Sequence, residues 1–414
     1  MISKSKKIFT LLVVTILLSG LVVGCAGGDQ GAKDGKKELK VVMSLGESEW
    51  KVIKQEILPP FEKKYNVEVT PFQIGSGNVI KKLQSLKAAG NMTIDVVAQD
   101  NMQLAPLVDR GLVEDLSEYR DIIPKEVIDA LIKVGEFNGK LYFMPYRPNV
   151  EIAFYNQKKF EKYGLKPPEN WDELLKVAKT FKKKEGIGRV IGIKGGLASD
   201  TTVHLFDYIR SAGGNPLVLN DEGSIKAFKF LKKLKPYLSP DFKRATWDTT
   251  NKFLATESVY LGRNWPFGVN IIVKKYNKDE IKAYHGWSGP VKESHVLGGS
   301  VLAIPKGAPH EELAVKFIKY LMSKKVQKQL VTKLAWPSSR TDAYGEVPKW
   351  QKPYFEAVKE AMKYAEPRPN VPYWATVSRA LNSAFKEIVL NDAPVEETLD
   401  KYHQVIQNAK KEAQ

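Results

Sequence analysis

Five of the eight tryptophans, Trp50, Trp265, Trp287, Trp336 and Trp374, lie in or beside turns rich in Gly, Pro or Ser. Each has a charged or amide residue within a few positions. A tryptophan presents a rigid apolar face with a polar edge. A pyranose carries C–H patches on its faces and hydroxyls around its rim. Holding one takes a flat stacking surface together with Asp, Glu, Asn or Arg in the plane of the ring. Singly, each of the five serves core packing equally well, but as a set they point to carbohydrate. Trp265 in "YLGRNWPFGV" is the clearest, because Pro266 suits the first turn of a helix and puts Trp265 at a strand-to-helix junction. Trp171 in "PPENWDELL" opens a helix and reads as packing. Trp247 and Trp350 have no polar company that suggests a site and read the same way.

Other chemistries find little support. The five histidines (204, 285, 295, 310 and 403) show neither HxxxH nor HxH spacing, which speaks against a zinc-type site. GxxxxGK[ST] is missing, and "GSGN" at 75–78 is a weak glycine signal without it. GxSxG is missing too. Paired carboxylates for glycoside chemistry remain open among 47 acids, with nothing to mark any two of them out. The reading is a binding protein without catalytic residues, metal or cofactor.

The elements that must hold these residues follow an N-terminal leader. Lys4, Lys6 and Lys7 precede an apolar run from Ile8 to Gly24, the layout of an export signal (1–24). Cys25, the only cysteine in 414 residues, ends that run in "LVVGC", which resembles the lipobox whose thiol is lipidated. "AGGDQGAKDGKKE" follows as a flexible tether within 25–38, able to reach roughly 45 Å at full extension. With no second cysteine there is no disulfide, so the body is held by its core. Loss of residues 1–24 removes three lysines and no acid, lowering the formal charge from +17 to +14. Lysines interspersed with glutamates along helices suggest a solvated surface, and export argues against nucleic acid.

From Leu39 the pattern reads strand, helix (47–64), strand, helix (77–90), strand. That is βαβαβ, hence a mostly parallel sheet with ligands beyond the carboxyl ends of its strands. The loops 46–50, 75–78 and 99–103 therefore face the ligand. "GEFNGKLYFMPYRPNVEIAFYN" breaks the rhythm with a hairpin turn and prolines, as a crossing between domains would. A second α/β stretch follows, with helices near 171–185, 199–212 and 224–235 and a strand at "RVIGIK". "LGGSVLAIPKGAP" (297–309) returns to the first domain. The expected division is 39–146 with 300–338 in one lobe and 147–299 with 339–414 in the other.

Taken together, "DVVAQDNMQLAPLVDRGLVEDLSEY", "NGKLYFMPY", "FYNQKKFEKYGLKPPENWDELLKVAK", "IRSAGGNPL" and "LGGSVLAIPKGAPHEELAVKFIKYLMS" resemble the family-1 extracellular solute-binding proteins. These are substrate-binding lipoproteins of ABC sugar importers. "RNWPF", "LAWPSSRTDAY" and "PRPNVPYW" are similar to the trehalose/maltose-binding branch. The resemblance implies an α/β, two-lobe, periplasmic-binding-protein-like (type II) fold with a hinge of several crossing segments. It carries sugar stacking to Trp265 and hydroxyl binding to Asp100. It carries an acid in the first loop to Glu47 or Glu49 and donors to Arg368 and Arg340. Ser300 stands where that branch tends to have a tryptophan, and Arg147 and Asn149 where it tends to have an aromatic and an acid. The sugar need be neither trehalose nor maltose.

The expected mechanism is a clamp, open when empty, that closes over its sugar and docks on ABC permease subunits. The molecule is expected as a monomer on the outer face of the cell membrane, or facing the periplasm if there are two membranes. Arg147, Arg263 and Arg368 motivate a rival ligand, an acidic uronate oligomer. A surface-anchored glycosidase or lyase and an adhesin are the rivals from other classes.

Overall fold

The computed structural model describes residues 36–413 except 198 and 346. The expected export signal, Cys25 and the tether through residue 35 lie outside them. Residues 37 and 38, expected at the end of the tether, already belong to a strand, because Lys37 and Glu38 pair with Val67 and Glu68.

The first sheet contains β1 (Lys37–Met43), β2 (Val67–Gln73) and β3 (Val96–Asp100). β1 lies between β2 and β3 and is parallel to both. Two short pieces, β4 (Glu136–Phe137) and β5 (Lys140–Leu141), form the expected hairpin around Asn138 and Gly139, both at positive φ. β6 (Met144–Asn149) follows, and after a two-residue step the chain enters β7 (Ile152–Asn156) of a second sheet. There β7 and β9 (Leu261–Asn264) form the centre, flanked by β10 (Ile281–Tyr284) and β8 (Val190–Ile191). "RVIGIK" thus yields a strand of only two residues. β11 (His295–Ala303) is the return crossing and begins two residues earlier than the glycines suggest. It pairs with β12 (Ala365–Pro367) through residues 295–297, with β6 through 298–302 and with β3 through 300–303.

Period-two alternation explains how helices cover both faces of the first sheet. Leu39, Val41, Val96 and Ala98 join a buried cluster with Phe61, Phe317 and Trp336. Val42 and Val97 point the other way, to Val79, Leu83 and Phe143. The second lobe is built around Phe154, Phe181, Phe206, Phe228 and Phe385. The chain is therefore an α/β protein of two lobes.

The helix expected over 47–64 forms as an α segment (Glu47–Val52), a π turn (Ile53–Ile57) and a second α segment (Leu58–Tyr65). Pro59 and Pro60 cannot donate, and the wider turn precedes them. Past Pro266 the chain turns and enters a π segment, Asn270–Lys275, in place of a regular helix. Among the described residues no helix is long and apolar enough to cross a membrane.

Candidate functional site

Strand register builds the centre of the site. Across the first sheet Ser300 of β11 pairs with Asp100 of β3 on one side and Arg147 of β6 on the other. Gly298 pairs with Asn149 in the same ladder. These side chains border a cavity of about 350 Å3 whose other walls include Glu49, Gln73 and Trp336 on one side and Asp200, Trp247, Trp265 and Phe267 on the other.

Two ion pairs are set into the wall. Glu49 Oε2 accepts the backbone N–H of Gly46 at 2.7 Å, fixing the start of the first helix. Its Oε1 accepts from Trp336 Nε1 at 2.8 Å and lies 3.4 Å from Arg147 Nη1. The Arg147 guanidinium sits 4.0 Å from the Trp336 ring centroid, and Tyr146 meets that ring edge-on. Trp336 is only 2 % exposed, so its face supports Arg147 and is not open for stacking. In the second pair Arg368 Nη2 reaches Asp100 Oδ1 at 3.2 Å and Asn101 Oδ1 at 3.0 Å, while its buried Nε has no partner. Asp100 Oδ1 also accepts the N–H of Met102 at 3.0 Å, which holds the carboxylate at the end of β3.

Trp265 is a half-buried aromatic of the cleft. Its indole lies against Gly298, where an added Cβ would come within 2.8 Å of the ring. The neighbouring Gly299 has φ +118°, and a Cβ there would meet the Arg147 carbonyl oxygen at 2.0 Å. Both glycines of "LGGS" are therefore required by close approach.

Asp200 enters from the first turn of the helix Ser199–Ser211. Burial raises its pKa, against the pull of Lys194, whose Nζ is 3.6 Å away. Lys194 is itself fully buried, bound to Glu151 and, at 2.9 Å, to Asn264 Oδ1. Glu151 stands in the step between β6 and β7 and accepts from His204 Nε2 at 2.6 Å. The His204 Nδ1 accepts the backbone N–H of Lys194 at 3.2 Å. Burial holds His204 down to about 4.

Eight of the expected residues thus border one cavity: Glu49, Asp100, Arg147, Asn149, Trp265, Ser300, Trp336 and Arg368. Five stand elsewhere. Glu47 is exposed outside the lining. Trp50 gives its Nε1 proton to Gln73 Oε1 at 2.5 Å behind the wall. Trp287 and Trp374 are buried in the second lobe's core, at 3 % and 6 % exposure. Trp287 lies under the Arg263 guanidinium and Trp374 against Phe206. Arg340 is buried in ion pairs with Glu126 and Asp342, at 3.0 and 2.8 Å. In the opposite direction, Trp247 reads as packing in sequence but is 47 % exposed and lines the cavity with Phe267 against it. Its polar company comes from afar, since Asn264 Nδ2 donates to the Trp247 carbonyl. A capping box between Thr246 and Thr249 fixes the start of the helix that opens on Trp247.

His285, Glu293 and His295 also come together, with candidate ligand atoms within 4.8 Å of one another. Arg263 Nη2 lies 2.6 Å from His295 Nδ1 and can only donate, so the ring proton sits on Nε2 and goes to Glu293, 2.7 Å away. A cation on Nε2 would force that proton onto Nδ1, against the guanidinium. The trio is a hydrogen-bond chain. Burial would raise the Glu293 pKa, but the two imidazoles outweigh it and bring it to about 2.

Comparison with known proteins agrees with this architecture. A relative from Pyrococcus horikoshii, described as an uncharacterized ABC transporter extracellular-binding protein, is 26% identical over 267 residues. That match spans 58% of this chain and 59% of the relative. The diacetylchitobiose binding protein of Streptomyces coelicolor is 25% identical over 412 residues, 90% of this chain and 91% of its own. In fold the chain is similar to a maltose-bound protein of T. maritima, with a TM-score of 0.80, 22% identity, and coverage of 89% of this chain and 99% of that one. Residues 56–357 match the model of the bacterial extracellular solute-binding proteins, and the chain belongs to that family.

Proposed function

We propose that this chain captures a sugar or short oligosaccharide between its two lobes and delivers it to an ABC permease. The observation that carries the reading is the meeting, in one cleft, of aromatic faces with in-plane polar groups. Trp265 and Trp247 offer the faces, and Glu49, Asp100, Arg147 and Arg368 offer the acceptors and donors. Maltose in the T. maritima protein and diacetylchitobiose in the name of the S. coelicolor relative support a sugar over other solutes. Within the set, Trp265 stacks, Asp100 and Glu49 accept hydroxyl protons, and Arg147 and Arg368 donate.

A neutral sugar is the better fit than a uronate. Arg147 and Arg368 are each already matched to a carboxylate, Glu49 and Asp100, so an acidic ligand would bring an excess of negative charge into the cleft. Binding, without turnover, is the activity. Lipidation at Cys25 and a position on the outer face of the membrane belong to the same proposal, with the protein acting as a monomer.

The experiment is a thermal-shift screen of neutral and uronic mono- and oligosaccharides, followed by calorimetry and product mass analysis on the hits. A ligand that binds only the native state raises the melting temperature by mass action. A neutral sugar should raise it and be recovered intact. Hydrolysed product, or a response to uronates alone, would contradict the proposal.

A further inference from the structure

Along the chain, lysines alternate with glutamates, but on one face of the second lobe the fold separates them. The helix Trp171–Glu185 exposes Lys176, Lys179, Lys182, Lys183 and Lys184. Its acids lie at its two ends. Asp172 and Glu173 are in the first turn, and Glu185 is turned to the hydroxyls of Tyr163 and Tyr260 at 2.6 and 3.2 Å. Among the described residues these five lysines have no carboxylate partner. Lys179 and Lys182 instead lie over the Tyr237 ring, 5.3 and 5.8 Å from its centroid, and Lys182 Nζ also donates to the Pro236 carbonyl at 2.6 Å.

An apolar residue stands beside this basic patch. Gly186 ends the helix in the left-handed region, and the turn leaves Ile187 40 % exposed. The turn is pinned against the Tyr237–Leu238 segment, because a Cβ on Gly188 would meet the Leu238 carbonyl oxygen at 2.1 Å. Ile187 and Tyr237 therefore border the flank of the basic helix that carries Lys179 and Lys182.

We propose that this face docks on an anionic lipid surface. Lysines on flexible stems suit a diffuse field of headgroups better than they suit the fixed fork geometry by which arginine holds a discrete phosphate. An aliphatic residue and a tyrosine amid lysines match the composition of an interfacial contact, where stems and apolar tips enter the headgroup layer and ammonium groups stay with the phosphates. Each basic residue held near an anionic leaflet multiplies partitioning roughly fivefold.

The test uses the unlipidated chain beginning at residue 26, since the body from Lys37 onward is one compact unit with its own cores. Its sedimentation with vesicles of equal parts phosphatidylglycerol and phosphatidylcholine is compared with that on pure phosphatidylcholine. Binding to the anionic vesicles alone is expected, with release at 1 M salt, where screening shortens to about 3 Å. Replacing Lys182, Lys183 and Lys184 together by Glu should lower partitioning at least about 100-fold. The milder triple change to Gln should act in the same direction, and both variants should keep a cooperative melting transition, lowered somewhat because the three lysines close the helix C-terminus and Lys182 holds the Pro236 carbonyl. Reversing Lys316, Lys319 and Lys325, exposed on another face, is the control. Equal loss in test and control variants, or no preference for anionic vesicles in the parent chain, overturns the proposal.

Discussion

At the residue scale the account rests on a few side chains whose neighbours fix them. The Trp265 ring lies on Gly298, so Gly298→Ala should displace it and weaken sugar binding at least about tenfold, read by calorimetry, with little change in fold. His204 and His295 carry a pH prediction. Each is buried as a neutral ring with Nδ1 already accepting, from Lys194 N–H and Arg263 respectively. A second proton has no place to go, and burial keeps both at about 4. Their native pKa lies below the ordinary 6.5, so their contribution is complete above pH 6.5 and is lost as pH falls toward 4. The melting temperature should drop across that window, and His204→Gln should make the drop shallower. An unchanged slope would exclude His204 as a source.

At the element scale β11 does the organising. One nine-residue strand pairs with β12, β6 and β3, and so brings Arg147, Ser300 and Asp100 onto adjacent strands although they are up to 200 positions apart in sequence. The two arginines expected as donors separate here. Arg340 ties the loop after Trp336 to the 124–127 segment, where Val127 and Arg340 form a bridge. Arg340→Met should therefore cost roughly 2–4 kcal/mol of stability and leave ligand affinity alone. Arg368→Met should lower affinity, because its guanidinium holds Asp100 and Asn101 at the cleft. Denaturant titration beside calorimetry distinguishes the two outcomes.

The βαβαβ start, the crossing at 135–156 and the return strand were legible in sequence because period-two and helical patterns, Asn-Gly and paired prolines are local signals. The place of Trp265 at the cleft was legible for the same reason, at the end of a strand, whereas Asp100 came from the family resemblance, in a loop that the strand pattern had already turned toward the ligand. Local composition could not tell that Trp374 would pack on Phe206 or that Arg263 would cover Trp287, since those contacts join distant segments. Trp247 failed the opposite way, its polar neighbour Asn264 arriving from another element. Trp336 reached the cleft, yet Arg147 had already taken its face.

At the scale of the whole molecule, function lies in the relation between the lobes. Ligand groups that touch Glu49 and Asp100 on one side and Trp265 and Trp247 on the other would bind the closed form better and shift the population toward it. Small-angle scattering should show a smaller radius of gyration with the bound sugar than without, whereas an adhesin would not compact. The most direct measurement is calorimetry of the parent chain and Trp265→Ala with the neutral sugar found by the screen, alongside their melting temperatures. The account predicts a loss of affinity of at least about 30-fold, the behaviour of a central aromatic contact. It predicts a change in melting temperature of no more than about 3 °C. Retained affinity, or a melting temperature lowered by many degrees, would make Trp265 a packing residue and contradict the proposed site.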